Sequence, residues 1–343
     1  MRLFQRKNEP HGERITAFWA WWAETRPRLD EMLESGDEAG LAEALAPAVA
    51  AIDEGLVWEI EPGRDAGQAL VVTAAGAPEL RPLAHRWAKA APPADETWEF
   101  HPSRQANPNV MELTVHVGGR EFAFDKLMLG LRVPPGKPRI DVVVYHPIYP
   151  DLDEDTRMES ALLALDWLLG EDEVARWVGD ITAASFEPID PVPAVHLPTV
   201  VADVVREFSE QRWVMMEGRT PTGGKVAAAA RFPLRSVDYP LFDQHIAVAL
   251  PYQEADEDGL PAGSSVEALD AFSLEIATSL SEDTAVPVAH MSADGVRMLH
   301  VYADPDSDAA DRVRELAKGW KQGRARVDVA TDPGWLSVTP FLS

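Results

Sequence analysis

Val286-Pro-Val-Ala-His-Met-Ser-Ala-Asp-Gly-Val-Arg-Met-Leu-His-Val-Tyr302 is the stretch whose reading decides the fold. Two strand-like runs flank Asp294-Gly295, a dipeptide that supplies the positive φ angles of a two-residue hairpin. Upstream, His245-Ile-Ala-Val-Ala-Leu250 is a continuous apolar run, as expected of a central strand covered on both faces. Between them Val266, Leu269, Phe272, Ile276 and Leu280 recur at helical spacing behind a cap assigned to Ser264-Ser265. Downstream, Val313, Leu316 and Ala317 mark a second helix with Gly319 at its end, and Arg324 to Ala330 alternates like an edge strand. Strand, helix, strand, strand, helix, strand is the split βαβ, or ferredoxin-like, order.

If Asp294 and Gly295 form the loop, Ala293 faces Val296 and Met291 faces Met298, on a sheet face shared with Ala289, His300 and Tyr302. The other face then carries Val288, His290, Leu299 and Val301. Helices cover one face of such a sheet, so apolar residues on the other predict a second covering layer. The N-terminal half or the hairpin preceding the module is expected to supply it. That hairpin is Trp213 to Glu217 with Val226 to Phe232, across a Pro- and Gly-rich turn.

The preceding chain reads as a separate α+β domain. Ile15, Phe18, Trp19 and Trp22 form one helical stripe of core anchors, with Trp21 off the stripe and expected to be exposed as an interface residue. Pro27 predicts a kink or a new helix, and Pro47 a bend in a helix bearing Leu41, Leu45, Val49 and Ile52. Strands are predicted at 56–60, 69–73, 98–100, 112–117, 120–124 and 140–145, and helices at 79–90, 158–169 and 171–178. Pro188, Pro191, Pro193 and Pro198 suggest a semi-rigid linker over 188–198, dividing an N-terminal domain, 1–187, from a C-terminal one, 199–343, that opens with a helix capped by Thr199.

A net charge of -26, from 57 acidic and 31 basic residues, disfavours nucleic-acid phosphates and anionic membranes and favours a partner with a basic surface, since no segregated basic patch is apparent. Absence of cysteine excludes disulfides, thiol nucleophiles and cysteine-bound zinc. No apolar leader opens the chain and no run reaches membrane-spanning length, so a cytoplasmic protein is expected.

Motifs of specific chemistry fail on spacing. Asp151, Asp153 and Asp155 begin like a calcium loop, but Thr156 and Leu162 occupy the positions that require glycine and glutamate. Their plainer role is at the N-terminus of the following helix. Gly223-Gly224-Lys225 lacks the first glycine and the hydroxyl of a phosphate loop. The histidines form no paired zinc helix, and His290 and His300 fall on opposite sheet faces. No catalytic, cofactor or metal residues are therefore assigned.

Gly259-Leu-Pro261, Asp294-Gly295-Val296-Arg297, Tyr302 and Asp332-Pro-Gly-Trp335 resemble the bacterial domain of unknown function 695, from about Trp213 onward. That family is similar in turn to the regulator B type of ribonuclease E inhibitor, a small acidic protein that acts by binding an enzyme. The N-terminal half resembles the companion domain that often precedes the module. The resemblance implies no catalytic residues. It marks Gly295, Arg297, Tyr302, Asp332 and Trp335 as motif positions, to which Trp21 and His300 are added as candidate partner-binding positions, while turn, core and lid roles suffice for Gly295, Asp332 and Trp335. The expectation is a non-enzymatic regulatory module. Alternatives are an enzyme using His146, Asp141 or His300 with Tyr302 in an interdomain cleft, and an immunity protein against a basic nuclease toxin.

Overall fold

The computed structural model describes residues 11–220 and 223–343. Residues 1–10 lie outside them, as do Pro221 and Thr222 of the stretch expected as the Pro- and Gly-rich turn before the C-terminal module. The chain is α+β, and its contacts divide into two compact units, one running to Pro134 and resuming over Arg139–Ala202, the other comprising Pro135–Pro138 and Asp203–Ser343. Among the described residues no helix is long and apolar enough to cross a membrane.

In the first unit α1 (His11–Ser35) and α2 (Glu38–Ile52) precede a sheet of β1 (Val57–Pro62), β2 (Gln68–Thr73) and β3 (Trp98–His101), with α3 (Arg81–Lys89) between β2 and β3. β4 (Thr114–Val117) and β5 (Arg120–Ala123) form a hairpin through Gly118-Gly119. β6 (Met128–Arg132) and β7 (Ile140–Tyr145) are followed by α4 (Glu154–Leu169), α5 (Glu171–Trp177), β8 (Val178–Ala183) and β9 (Val192–Pro193), giving a second sheet of order β8-β7-β6-β9. α6 (Leu197–Glu207) crosses the division between the units.

Several expectations change here. No new helix starts at Pro27: α1 continues unbroken through it, because Trp22 and Leu29 on either side are both buried and that packing outweighs one lost helical hydrogen bond. Trp21 is half-buried on the same aromatic core, 5.5 Å from Phe18 between ring centroids. The span expected as a linker packs on the first unit: Val192–Pro193 pairs with β6, and Ala194 and Leu197 are fully buried. α6 begins at Leu197, which places Thr199 inside its first turn. β6 and β8 escaped prediction. The first is short and interrupted by Gly130, and the second follows α5 with no turn residue between them.

The second unit contains β10 (Arg212–Arg219), β11 (Lys225–Phe232), β12 (Gln244–Pro251), α7 (Ser264–Ser279), β13 (Ala285–Ala293), β14 (Val296–Ala303), α8 (Ala309–Lys318) and β15 (Arg326–Thr331). Their sheet has the order β10-β11-β13-β14-β12-β15. The last four strands thus place the first and third, β12 and β14, in the interior, with every pairing antiparallel. Ile246, Val248, Leu250, Leu299 and Val301 pack with Leu269, Phe272, Ile276 and Val313 of the helices. α7 is capped by the carboxylate of Glu254, which accepts from Ser264 N at 2.8 Å and from Ser264 Oγ at 3.1 Å. No serine side chain caps that helix.

Near the turn the register is the expected one, Ala293 with Val296 and Met291 with Met298. It then shifts, because Pro287 pairs with Val301 while Ala289 pairs with His300, leaving Val288 as an extra residue. A proline without an N–H is accommodated in a strand at such a bulge. The bulge returns Val288 to the cluster of Ala289 and Tyr302, opposite to the face that strict alternation assigns it.

The hairpin β10–β11 extends the sheet beyond β13 instead of lying across its back. The back is covered by Leu234 and Phe242 from the β11–β12 connection and by Trp335 and Val338 after β15. Asp294 and Gly295 have φ of 49° and 78°, the two left-handed positions of the tight turn. Nothing lies within 4 Å of a Cβ built on Gly295. Gly295→Ala is therefore expected to lower stability by about 1 kcal/mol through backbone strain alone, measured as a lower urea midpoint with an unchanged slope.

Candidate functional site

Four of the marked residues meet on the back of the second unit's sheet. β14 presents Tyr302 and His300, and the chain leaving β15 turns at Asp332-Pro333-Gly334-Trp335. Tyr302 Oη donates to Asp332 Oδ2 at 2.7 Å. Asp332 also accepts from Leu336 N at 2.8 Å and Ser337 N at 2.9 Å, so it holds its own turn closed. Its backbone N–H donates to Asp243 O at 2.7 Å, tying the turn to the β11–β12 connection.

Trp335 completes the arrangement. Its ring stacks on Tyr302 at 3.9 Å and 13°, and Nε1 donates to Phe242 O at 2.8 Å. Tyr239 lies on it at 5.7 Å. Trp335 adopts φ 56°, a left-handed conformation that is rare and strained for a bulky residue. It is sustained because stacking and the indole hydrogen bond are available only in that position.

Beside Tyr302, His245 Nε2 and His300 Nδ1 are 3.0 Å apart. Burial lowers both pKa values, that of His300 to about 4 with the neighbouring His245 and His290 adding to the effect. The pair is therefore neutral near pH 7, one ring donating to the other. Burial, together with the hydrogen bond and charge of Asp332, pushes the Tyr302 phenol far above its ordinary value. Burial opposes ionisation of Asp332, but the hydrogen bonds it accepts from Tyr302, Ser337 and Leu336 prevail and hold it below the usual carboxylate value. A carboxylate this engaged and a phenol this reluctant to ionise suit scaffolding better than proton transfer.

The other marked positions lie apart. Arg297 is on the helix-covered face, donating to Ser292 Oγ at 3.0 Å and to Asp270 Oδ1 at 3.2 Å. Gly295 anchors the hairpin through backbone bonds to Gly259 and Tyr252. Of the residues considered for catalysis, His146 and Asp141 fall in the first unit. His146 is buried, with Nε2 3.1 Å from Ala123 O and Nδ1 accepting from Ile148 N, while Asp141 accepts from Arg132 and Asp180 N. The acids at the start of α4 act as a cap, with Asp153 accepting from Thr156 N at 2.9 Å. Among the described residues no group of histidine, aspartate and glutamate is arranged to hold a metal.

Sequence reasoning missed a polar network in the first unit. Arg104, half-buried or better, bonds both oxygens of Glu59 and reaches Asp166 Oδ2 at 3.0 Å. Glu171 accepts from Thr73 Oγ1 and Gly76 N, and Asp172 from Ser103 Oγ. Burial, then the charge of Glu171, raises Asp166 to about 7, and burial, then Glu59, raises Glu61 to about 7. The available signal was Glu59 and Glu61 two apart on one strand; their partners come from far along the chain.

Two groups of expectations follow. Trp335→Ala removes a fully buried ring and should cost about 3–5 kcal/mol, whereas Tyr302→Phe, which deletes one hydrogen bond to a carboxylate, should cost about 1.5–3 kcal/mol; denaturant unfolding of the chain gives both. As pH falls from 6.5 towards 4 the unfolded chain takes up protons that His300 refuses in the folded state. The second unit then loses stability, by roughly 3 kcal/mol from this residue. Asp166 and Glu61 act in the opposite sense: they retain protons that the unfolded chain releases from about 4, so the first unit is stabilised in acid and loses that contribution as pH rises to about 7. Hydrogen exchange resolved by segment at pH 4.5, 6 and 7.5 separates the two trends.

No curated protein matches the chain. Residues 231–343 match the family model described as Family of unknown function (DUF695), which begins at Arg231 near the end of β11 and thus leaves β10 outside the match. The module built on β12 to β15, with the Asp332 turn that closes its back, lies within this match and is similar to that family of unknown function.

Proposed function

We propose that the chain is a non-enzymatic, cytoplasmic protein-binding module, acting through an acidic surface on a partner with a basic one. The observation that carries this reading is the outer face of α7. Residues 236–296 contain twelve acidic residues and no lysine or arginine. Within that span α7 turns Leu269, Phe272 and Ile276 inward and leaves Val266 and Leu274 outward, the latter 65% exposed, beside the exposed Glu267 and Glu275. Apolar anchors rimmed by like charges are what a docking face needs: the apolar contacts supply affinity, and the charge selects and steers the partner.

The engagement of Asp332, Tyr302 and Trp335 inside the module supports the same reading, since their polar atoms serve its closure. The four-stranded part is best read as ferredoxin-like, and the two compact units as two domains. The similarity to the regulator B type of ribonuclease E inhibitor belongs to this proposal, with inhibition by binding as the shared mode of action.

Capture from cell extract by the immobilised chain tests it. A partner retained at low salt and released at high salt is expected, and Glu267→Lys with Glu275→Lys, or Leu274→Ala alone, should each reduce capture severalfold at unchanged circular dichroism. Capture indifferent to both variants would remove α7 from the binding face.

A further inference from the structure

The acidity of the chain is strongly interrupted near its C-terminal end. Residues 312–326, Arg312-Val-Arg-Glu-Leu-Ala-Lys-Gly-Trp-Lys-Gln-Gly-Arg-Ala-Arg326, hold six lysines and arginines against one glutamate. The expectation that no basic patch is segregated is therefore corrected. The fold concentrates this stretch in a single place, since it comprises the latter half of α8, the connection to β15 and the first residue of β15.

A groove of about 690 Å³ opens there, lined by Arg314, Lys318 and Arg324 together with Trp320, Ala325 and Val327. Arg314 and Lys318 stand one helical turn apart. Each is half-exposed or more and, among the described residues, forms an ion pair only with an acid three residues back on its own helix, at Asp311 and Glu315. Such surface pairs are worth little and exchange readily for another carboxylate. Arg324 makes no ion pair among the described residues.

The floor of the groove adds a second property. β15 is the last strand of the sheet, pairing with β12 and with no strand on its other side among the described residues. An edge strand presents a row of backbone donors and acceptors that an extended segment can pair with. Val327 and Ala325 offer small apolar contacts, while Trp320 is 9% exposed with its Nε1 committed to Pro251 O at 2.7 Å. The indole is thus a wall of the groove and not a platform on which a base could stack, which favours peptide over nucleic acid.

We propose that the α8–β15 groove binds an acidic peptide segment in extended form, added to the sheet as a strand beside β15. Acidic side chains at alternate positions would face Arg314, Lys318 and Arg324, and the residues between them would face the other side of the sheet. This surface is distinct from the outer face of α7 and opposite in sign, so the module carries two docking faces that select different partners.

The test uses the full chain and two fluorescently labelled, N-acetylated octapeptides, one alternating Glu with Val and one alternating Lys with Val. The Glu-Val peptide should bind saturably at low salt and roughly tenfold more weakly near 1 M salt, where charges are screened within a few ångströms. Its binding should slow hydrogen exchange over Arg326–Thr331. Replacing Arg314, Lys318 and Arg324 by glutamine should weaken it about tenfold or more, while the control Arg206→Gln should not. Absence of binding, equal binding of the Lys-Val peptide, or binding without slowed exchange at β15 would overturn the proposal. So would tighter binding of a single-stranded RNA octamer, or salt-sensitive self-association that the triple variant abolishes. The exchange measurement on the unaltered chain decides the matter even if the triple variant is unstable.

Discussion

The hydrogen bond from Tyr302 to Asp332 is the constraint on which the second unit depends. A sheet with both helices on one side has an apolar back that water would otherwise reach. Here the cover is two short segments, the β11–β12 connection and the chain after β15, not a layer of strands or long helices, and such segments have little cohesion of their own. Asp332 provides it by bonding Tyr302 beneath and the N–H groups of Leu336 and Ser337 beside it. Trp335 is thereby held flat on Tyr302 in a left-handed backbone conformation that an unconstrained chain would leave. The bulge at Val288 serves the same closure, for it supplies one more apolar side chain to the space under the indole.

Charge is distributed on a different logic from packing. The span 236–296 is devoid of lysine and arginine, whereas 312–326 is dominated by them, and the two supply different helices, α7 and α8, to one layer of the module. Like charges confined to one face raise its local potential well above what the net value conveys, and that potential steers encounter. A net charge of -26 therefore says little about any particular surface. In the first unit one group of acids is turned to internal bonds, with Arg104 binding Glu59 and Asp166 while Glu171 ties the end of β2 to the start of α5.

Features set by nearest neighbours were legible in advance. Asp294-Gly295 fixed the hairpin and its register as far as Ala289, the apolar run at His245 identified an interior strand, and helical spacing located α4, α7 and α8. Features set by distant contacts were not. Glu254 caps α7 from ten residues upstream, displacing the serines that local preference would choose. Pro27 sits inside a helix because buried neighbours on both sides hold it there. His300, Tyr302, Asp332 and Trp335 were individually visible, yet their convergence depends on where the chain travels after β15, and no periodicity encodes that path.

By itself the sequence determined the α+β class, the order of elements in the C-terminal module and the exclusion of thiol chemistry, because each follows from residue type or from spacing within a few turns. Tertiary structure alone decided what covers the sheet's back, where the hairpin β10–β11 attaches, and which charged residues share a surface. The physical reason is common to all three. Long-range pairings are selected by the burial and hydrogen bonding of complementary surfaces, which exist only once the elements have formed and met.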